Sequence, residues 1–167
     1  MTRKANPVGT SLSRGLDSID RLILKGLQAD GRKSVSELAR ELGLTASPCF
    51  ERVRRLEKDG YIEGYSARLS AHHLGARLVA FVGVRVDRTT PEIFEKFRAI
   101  VESLEEIVEC HMVAGGYDYL IKVRVADIDA YRRFLGEHLA TFPGIARIAT
   151  YVAMEEVKST LNFKFGD

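Results

Sequence analysis

Cysteine occurs only twice in the 167 residues, at Cys49 and Cys110, and no C-x-x-C spacing joins them. That scarcity argues against a disulfide framework and against a thiolate metal site, and it suits unpaired thiols in a reducing compartment. Long apolar runs are missing as well. The longest covers residues 78–84, Gly83 included, whereas a membrane span needs about 18 or more. Arg3, Lys4 and Arg14 near the start are not followed by the apolar stretch of a secretory signal, so a cytoplasmic protein without a membrane partner is expected. Catalytic signatures are absent too: there is no G-x-x-x-x-G-K-[ST], no G-x-G-x-x-G and no H-E-x-x-H. Of the four histidines, His72 and His73 are adjacent and His111 follows Cys110 on a strand, where neighbours point to opposite faces. No catalytic residue, metal site or resident cofactor is expected.

An apolar share of 46% beside 29% charged residues is that of a chain with a packed core. The length allows one ordinary domain or two small ones. Net charge is only +2, but it is unevenly placed: up to Ser70 there are 13 basic residues against 9 acidic, and beyond it 12 against 14. The basic first part suits a polyanionic partner.

Residues 1–15 show no periodicity and read as a flexible arm. From Leu16, the apolar positions Leu16, Ile19, Leu22, Ile23 and Leu27 recur at helical spacing, with Asp17 placed to cap and Gly31 to end a helix over residues 17–30. Ser34 and Glu37 form a capping box for a short second helix, which Gly43 stops. Four residues later a third helix begins, over residues 47–59, ending at Gly60. Residues 61–69 alternate and include Gly64, which predicts a short strand or hairpin. The pattern over residues 16–70 is a winged helix-turn-helix, and residues 71–77 read as a linker.

In the third helix, an advance of about 100° per residue places Cys49, Val53 and Leu56 in one narrow apolar arc. Ser47, Glu51, Arg54, Arg55 and Lys58 fall on the other side, with Arg52 flanking, and Ser47 and Pro48 stand at the end that approaches base edges. Guanidinium groups bind phosphate oxygens and can take guanine O6 and N7 together. A solvated face, neutralised by Glu51, Glu57 and Asp59, would show the same charges, but the tight turn before this helix favours double-stranded DNA as the partner.

Residues 78–158 carry a different rhythm: strand 78–86, helix 91–104, strand 107–113, strand 117–125, helix 127–139 and strand 145–153, followed by a tail over residues 159–167. This β-α-β-β-α-β order is the ferredoxin-like arrangement, an antiparallel four-stranded sheet with two helices on one face, so the whole chain is α+β. Both faces of the first strand are apolar, which predicts sheet-to-sheet pairing in a homodimer. Between the second and third strands runs Val113 to Tyr119, with Gly115 and Gly116 side by side. Glycines that adopt positive φ let backbone N–H groups approach a carboxylate, and Asp118 can receive an ammonium, the two ends of an amino acid whose side chain would point toward Thr150 and Val152. A plain hairpin turn is the other reading of this run, and the two are compatible.

The first half, with Leu16-Asp17, Asp30-Gly31, Glu37-Leu38-Ala39, Pro48-Cys49, Arg52-Val53-Arg54-Arg55-Leu56-Glu57 and Gly60-Tyr61-Ile62, resembles the leucine-responsive regulatory protein (Lrp/AsnC, feast/famine) family of transcriptional regulators. The second half agrees through Leu104 to Ile107, Glu109-Cys110-His111, Asp118-Tyr119-Leu120, Ala130-Tyr131-Arg132 and Tyr151-Val152. The resemblance covers about residues 15–160. It implies a non-enzymatic, nucleoid-associated regulator whose dimers assemble to octamers and whose assembly or DNA affinity answers to an amino acid, leucine or another aliphatic one. By motif it assigns the effector response to Asp118, Ile128, Tyr151 and Val152, beside the loop residues Gly115, Gly116, Tyr117 and Tyr119. Gly116 departs from the leucine-responsive member, which has an acidic residue there. An architectural DNA-binding protein without a metabolite is the alternative.

Overall fold

A computed structural model describes residues 15–164, which form two compact units. One unit runs up to Arg68 and takes in the segment from Ser159 onward; the other is Leu69–Lys158. The arm expected over residues 1–15 lies outside the described residues, Gly15 excepted, as do the last three residues of the tail.

The first unit holds α1 (Ser18–Ala29), α2 (Val35–Glu41) and α3 (Ala46–Lys58). Two reciprocal capping boxes start the first two helices: Asp17 and Asp20 each accept the other's backbone N–H, and Ser34 and Glu37 do the same. Gly43, at φ 65°, turns the chain out of α2 at an angle that other residues rarely adopt. Ile23, Leu38, Cys49 and Leu56 are fully or almost fully buried and, with Leu24, Ala39 and Val53, form the core. Burying a side chain such as Leu56 contributes about 1.5 to 3 kcal/mol. α1 approaches α2 closely at Gly26, where a Cβ would stand 2.7 Å from Leu38 Cδ1 and force that side chain to shift. The strand or hairpin expected over residues 61–69 is not formed. These residues run on without a ladder, because among the described residues no second strand lies beside them. Gln28 instead pairs with the tail: its Nε2 donates to the Phe163 carbonyl (2.9 Å) and its Oε1 accepts the Phe163 N–H (2.8 Å).

In the second unit the order is β1 (Leu78–Val86), α4 (Pro91–Ser103), β2 (Ile107–Met112), β3 (Tyr119–Val125), α5 (Ile128–Phe134) and β4 (Ile145–Val152). The strands lie in the order β2-β3-β1-β4, all neighbours antiparallel. Ala80, Val82, Val84, Tyr119, Ile121 and Val123 alternate onto the face that meets Phe97, Tyr131, Phe134 and Leu139 of the helical layer. The second helix is not α-helical to its expected end at residue 139. It stays so to Phe134 and then widens into a π-helical turn, Leu135–Leu139, marked by Ala140 N–H donating to the Leu135 carbonyl at 2.8 Å. Phe134 and Leu139 are five residues apart, about 140° at α-helical pitch, and both are buried. Underwinding brings both onto the sheet. On the other face, Phe81, Leu120 and Tyr151 are left 37%, 37% and 58% exposed.

Candidate nucleic-acid interface and effector loop

Helix α3 follows a four-residue turn, residues 42–45, and buries Cys49, Val53 and Leu56, which leaves Ser47, Pro48, Glu51, Arg54 and Lys58 exposed. Phe50, half exposed one position from the apolar arc, was not singled out in the sequence; an exposed aromatic ring on such a helix can meet a thymine methyl group. Arg55 departs from the outward position that the helical angles assign to it. Its Nη2 donates to Asp20 Oδ2, while Arg52 Nη1 reaches Asp17 Oδ2 (2.6 Å) and Asp20 Oδ1 (2.8 Å). Both guanidiniums are therefore committed to the first turn of α1. The Asp20 carboxylate is fully buried, and the N–H of Asp17 adds a third donor to it at 3.1 Å. Asp17 is held down to about 2, first by the backbone N–H of Asp20 and then by Arg52. Arg52 is held further into its charged form by hydrogen bonds to Asp17 and Asp20. Spacing along α3 could not show this, because the partners lie 32 to 35 residues away.

Residues 113–118 join β2 to β3 as a hairpin, closed by the Val113 N–H donating to the Asp118 carbonyl at 3.0 Å. The positive φ that paired glycines allow is used at neither Gly115 nor Gly116, and a Cβ on either would meet nothing within 4 Å. The turn itself therefore does not demand glycine there. Asp118 is tied to β1, where its N–H donates to Val84 O at 2.9 Å and its Oδ2 accepts Val86 N–H at 2.8 Å. One carboxylate oxygen thus satisfies a backbone donor beyond the end of the β1–β3 ladder. Tyr117 lies against Gly83 so closely that a Cβ at 83 would be 2.7 Å from its Cδ2. Its hydroxyl meets that of Tyr151 at 3.3 Å, which pushes the Tyr151 phenol up.

The remaining expected effector residues do not gather here. Tyr119 is buried against Phe97, with ring centroids 4.4 Å apart, and burial pushes its phenol up. Thr150 and Val152 pair with Val82 and Ala80 and so sit on the helix side of the sheet, where Thr150 Oγ1 meets Tyr131 OH at 2.5 Å. Period-two alternation sends Tyr151 to the opposite side. Ile128 opens α5 and is half exposed. Sequence reasoning passed over Gly83, although a glycine inside a strand is a recognised sign of close approach. It also passed over Arg85 and Arg147, which stand directly opposite each other in the β1–β4 register. Among the described residues no group of three metal-ligating side chains converges, and no helix is long and apolar enough to cross a membrane.

Residues 16–63 match the family model for winged helix-turn-helix DNA-binding domains, and residues 79–163 match that for the Lrp/AsnC ligand binding domain. The leucine-responsive regulatory protein of Salmonella typhimurium is 53% identical over 147 residues, 88% of this chain and 90% of that protein. This chain belongs to the Lrp/AsnC family. The leucine-responsive regulatory protein of Escherichia coli K12 stands at 52% over the same shares. Among solved structures, an AsnC family transcriptional regulator from Agrobacterium tumefaciens superposes with a TM-score of 0.85 at 33% identity, covering 89% of this chain and 97% of that one. A Neisseria meningitidis transcriptional regulator in complex with L-Met gives 0.86 at 31%, covering 90% and 97%. As a family member, the chain is a DNA-binding transcriptional regulator with a ligand-binding domain. Its helix α3 lies within the first match and the loop at 113–118 within the second.

Proposed function

We propose that this Lrp/AsnC chain binds a free amino acid, leucine or another aliphatic one, at the β2–β3 loop, and that the ligand shifts its assembly and its hold on operator DNA. The observation that carries the reading is the loop itself. Gly115 and Gly116 are exposed, with open space around them and no positive φ to require glycine, in the same hairpin as Asp118 and as Tyr117, whose hydroxyl meets that of Tyr151. Their N–H groups suit a carboxylate, and Asp118 Oδ1 suits an ammonium while Oδ2 stays on Val86. The names of the similar regulators, leucine-responsive in one case and crystallised with L-Met in another, support the same ligand class. On the DNA side, the exposed Ser47, Pro48, Glu51, Arg54 and Lys58 of α3 form the contact surface. The open sheet face, with Phe81, Leu120 and Tyr151, suits a second copy of the chain, and dimers so formed are the unit of an octamer.

A ligand that binds two assembly states equally shifts neither, so the effector must favour one. Calorimetric titration of the purified protein with each of the twenty amino acids, followed by DNA binding with any that binds, tests the proposal. Binding by none of them would leave the architectural reading, in which the engagement of Asp118 with Val86 is the whole of its role.

A further inference from the structure

We infer that Asp17 and Asp20 are positioning residues for DNA recognition: they hold Arg52 and Arg55 inward, set the roll of α3, and leave Arg54 and Lys58 as the cations of that helix that meet phosphate. The inference builds on α3 as the DNA-contacting helix.

The core beneath α3 is apolar: Cys49, Val53 and Leu56 set which face of the helix is buried, but that packing has no donor and acceptor to fix the roll further. The clamp supplies the direction. Arg52 and Arg55, three residues apart on α3, grip Asp17 and Asp20, three apart on α1. Two donors and two acceptors at that spacing define both the height and the rotation of one helix against the other. A buried carboxylate such as Asp20 is tolerated only while it keeps its donors, so a phosphate that drew both guanidiniums away would leave an uncompensated charge inside the domain, and one that drew either would cost Asp20 a charged donor. Arg52 and Arg55 therefore stay with Asp20 when DNA binds. Arg54 and Lys58 are exposed, and neither is part of the clamp.

Two readouts separate positioning from plain structural support: the slope of log K against log salt, and the preference for a duplex selected by the wild-type protein from a random pool over a scrambled duplex of equal length. Removing one cation that neutralises a phosphate reduces the slope by about 0.9 for each protomer in contact with the DNA. Arg54→Ala should show that reduction. Arg52→Ala, which keeps Asp20 paired to Arg55, should leave the slope unchanged while the selected-to-scrambled preference falls several-fold. Asp20→Asn releases Arg55, leaves Arg52 held by Asp17 alone, and should weaken that preference by about tenfold while tightening binding to the scrambled duplex. If Arg52→Ala lowers the slope as Arg54→Ala does, Arg52 binds phosphate and the inference is overturned, with the assignment of α3 intact. An unmoved slope in Arg54→Ala would remove the assignment of α3 and the inference together. A folded Asp20→Asn protein with full preference would show the clamp to be support only. Should Asp20→Asn not fold, the preference of Arg52→Ala decides in its place: several-fold loss upholds the inference and an unchanged value overturns it.

Discussion

Replacing Gly83 by alanine would place a methyl carbon 2.7 Å from Tyr117 Cδ2 and 2.8 Å from Cε2 and Cγ. Carbon atoms rest at about 3.5 to 4.0 Å, so the ring must withdraw by roughly 1 Å. Tyr117 is half-buried and can move outward, but its hydroxyl then leaves Tyr151, and the pull reaches Asp118, the next residue, which is fastened to Val84 and Val86. Overpacking of this kind costs about 1 to 3 kcal/mol. Alanine regains about 0.5 to 1 kcal/mol over glycine within a strand. A net loss of up to about 2.5 kcal/mol should appear as a lower urea midpoint with an unchanged slope, and affinity for the effector should fall with it. The Tyr117→Ala background supplies the control: once the ring is gone, Gly83→Ala should be neutral or stabilising, so the two substitutions are strongly non-additive. Equal destabilisation by Gly83→Ala with and without the ring would refute the contact as the cause.

Three further outcomes are expected. Asp118→Asn keeps an acceptor for Val86 N–H but removes the charge; losing a charge-assisted hydrogen bond of about 1.5 to 3 kcal/mol should weaken amino-acid binding by one to two decades in calorimetry, with DNA binding in the absence of ligand little changed. Asp17 is depressed from 3.8 to about 2 in the folded chain, so its contribution is fully present above pH 3.8 and is lost as pH falls through about 2; Asp17→Asn should flatten that part of the acid unfolding curve, and a curve superposable on wild type would contradict the pairing with Arg52. Phe81→Glu on the open sheet face should shift the protein toward monomer in light scattering, whereas an unchanged assembly would place the interface elsewhere.

Helix boundaries and strand succession were legible because they depend on local rules. Ser34 with Glu37 and the glycines at 43 and 60 are capping chemistry, read within a few residues, and α1, α2 and α3 begin and end within two residues of their expected limits. The strands of the second unit begin and end within two residues as well. The helical period likewise marked Cys49, Val53 and Leu56 as the buried stripe of α3. Residues 61–69 show where local pattern falls short: alternation permits a strand, but a strand exists only when another backbone takes up its hydrogen bonds.

By itself, then, the amino-acid sequence determined the two folds, their order and the family, since each rests on periodicity, capping or a long run of matching residues. Tertiary structure decided what each side chain near those sites is free to do. Arg54 and Arg55 are adjacent on one helix, yet only Arg55 is engaged by Asp20, an acid from another helix. Thr150 and Tyr151 are likewise adjacent, and the sheet sends one to Tyr131 and the other to Tyr117. Asp118, read as a ligand for ammonium, already holds Val86 N–H. The close approach that glycine makes possible occurs at Gly83, not at Gly115 or Gly116. In each case the deciding partner is remote in the chain, and a spacing rule that reaches four residues cannot register contacts formed across 19 to 35.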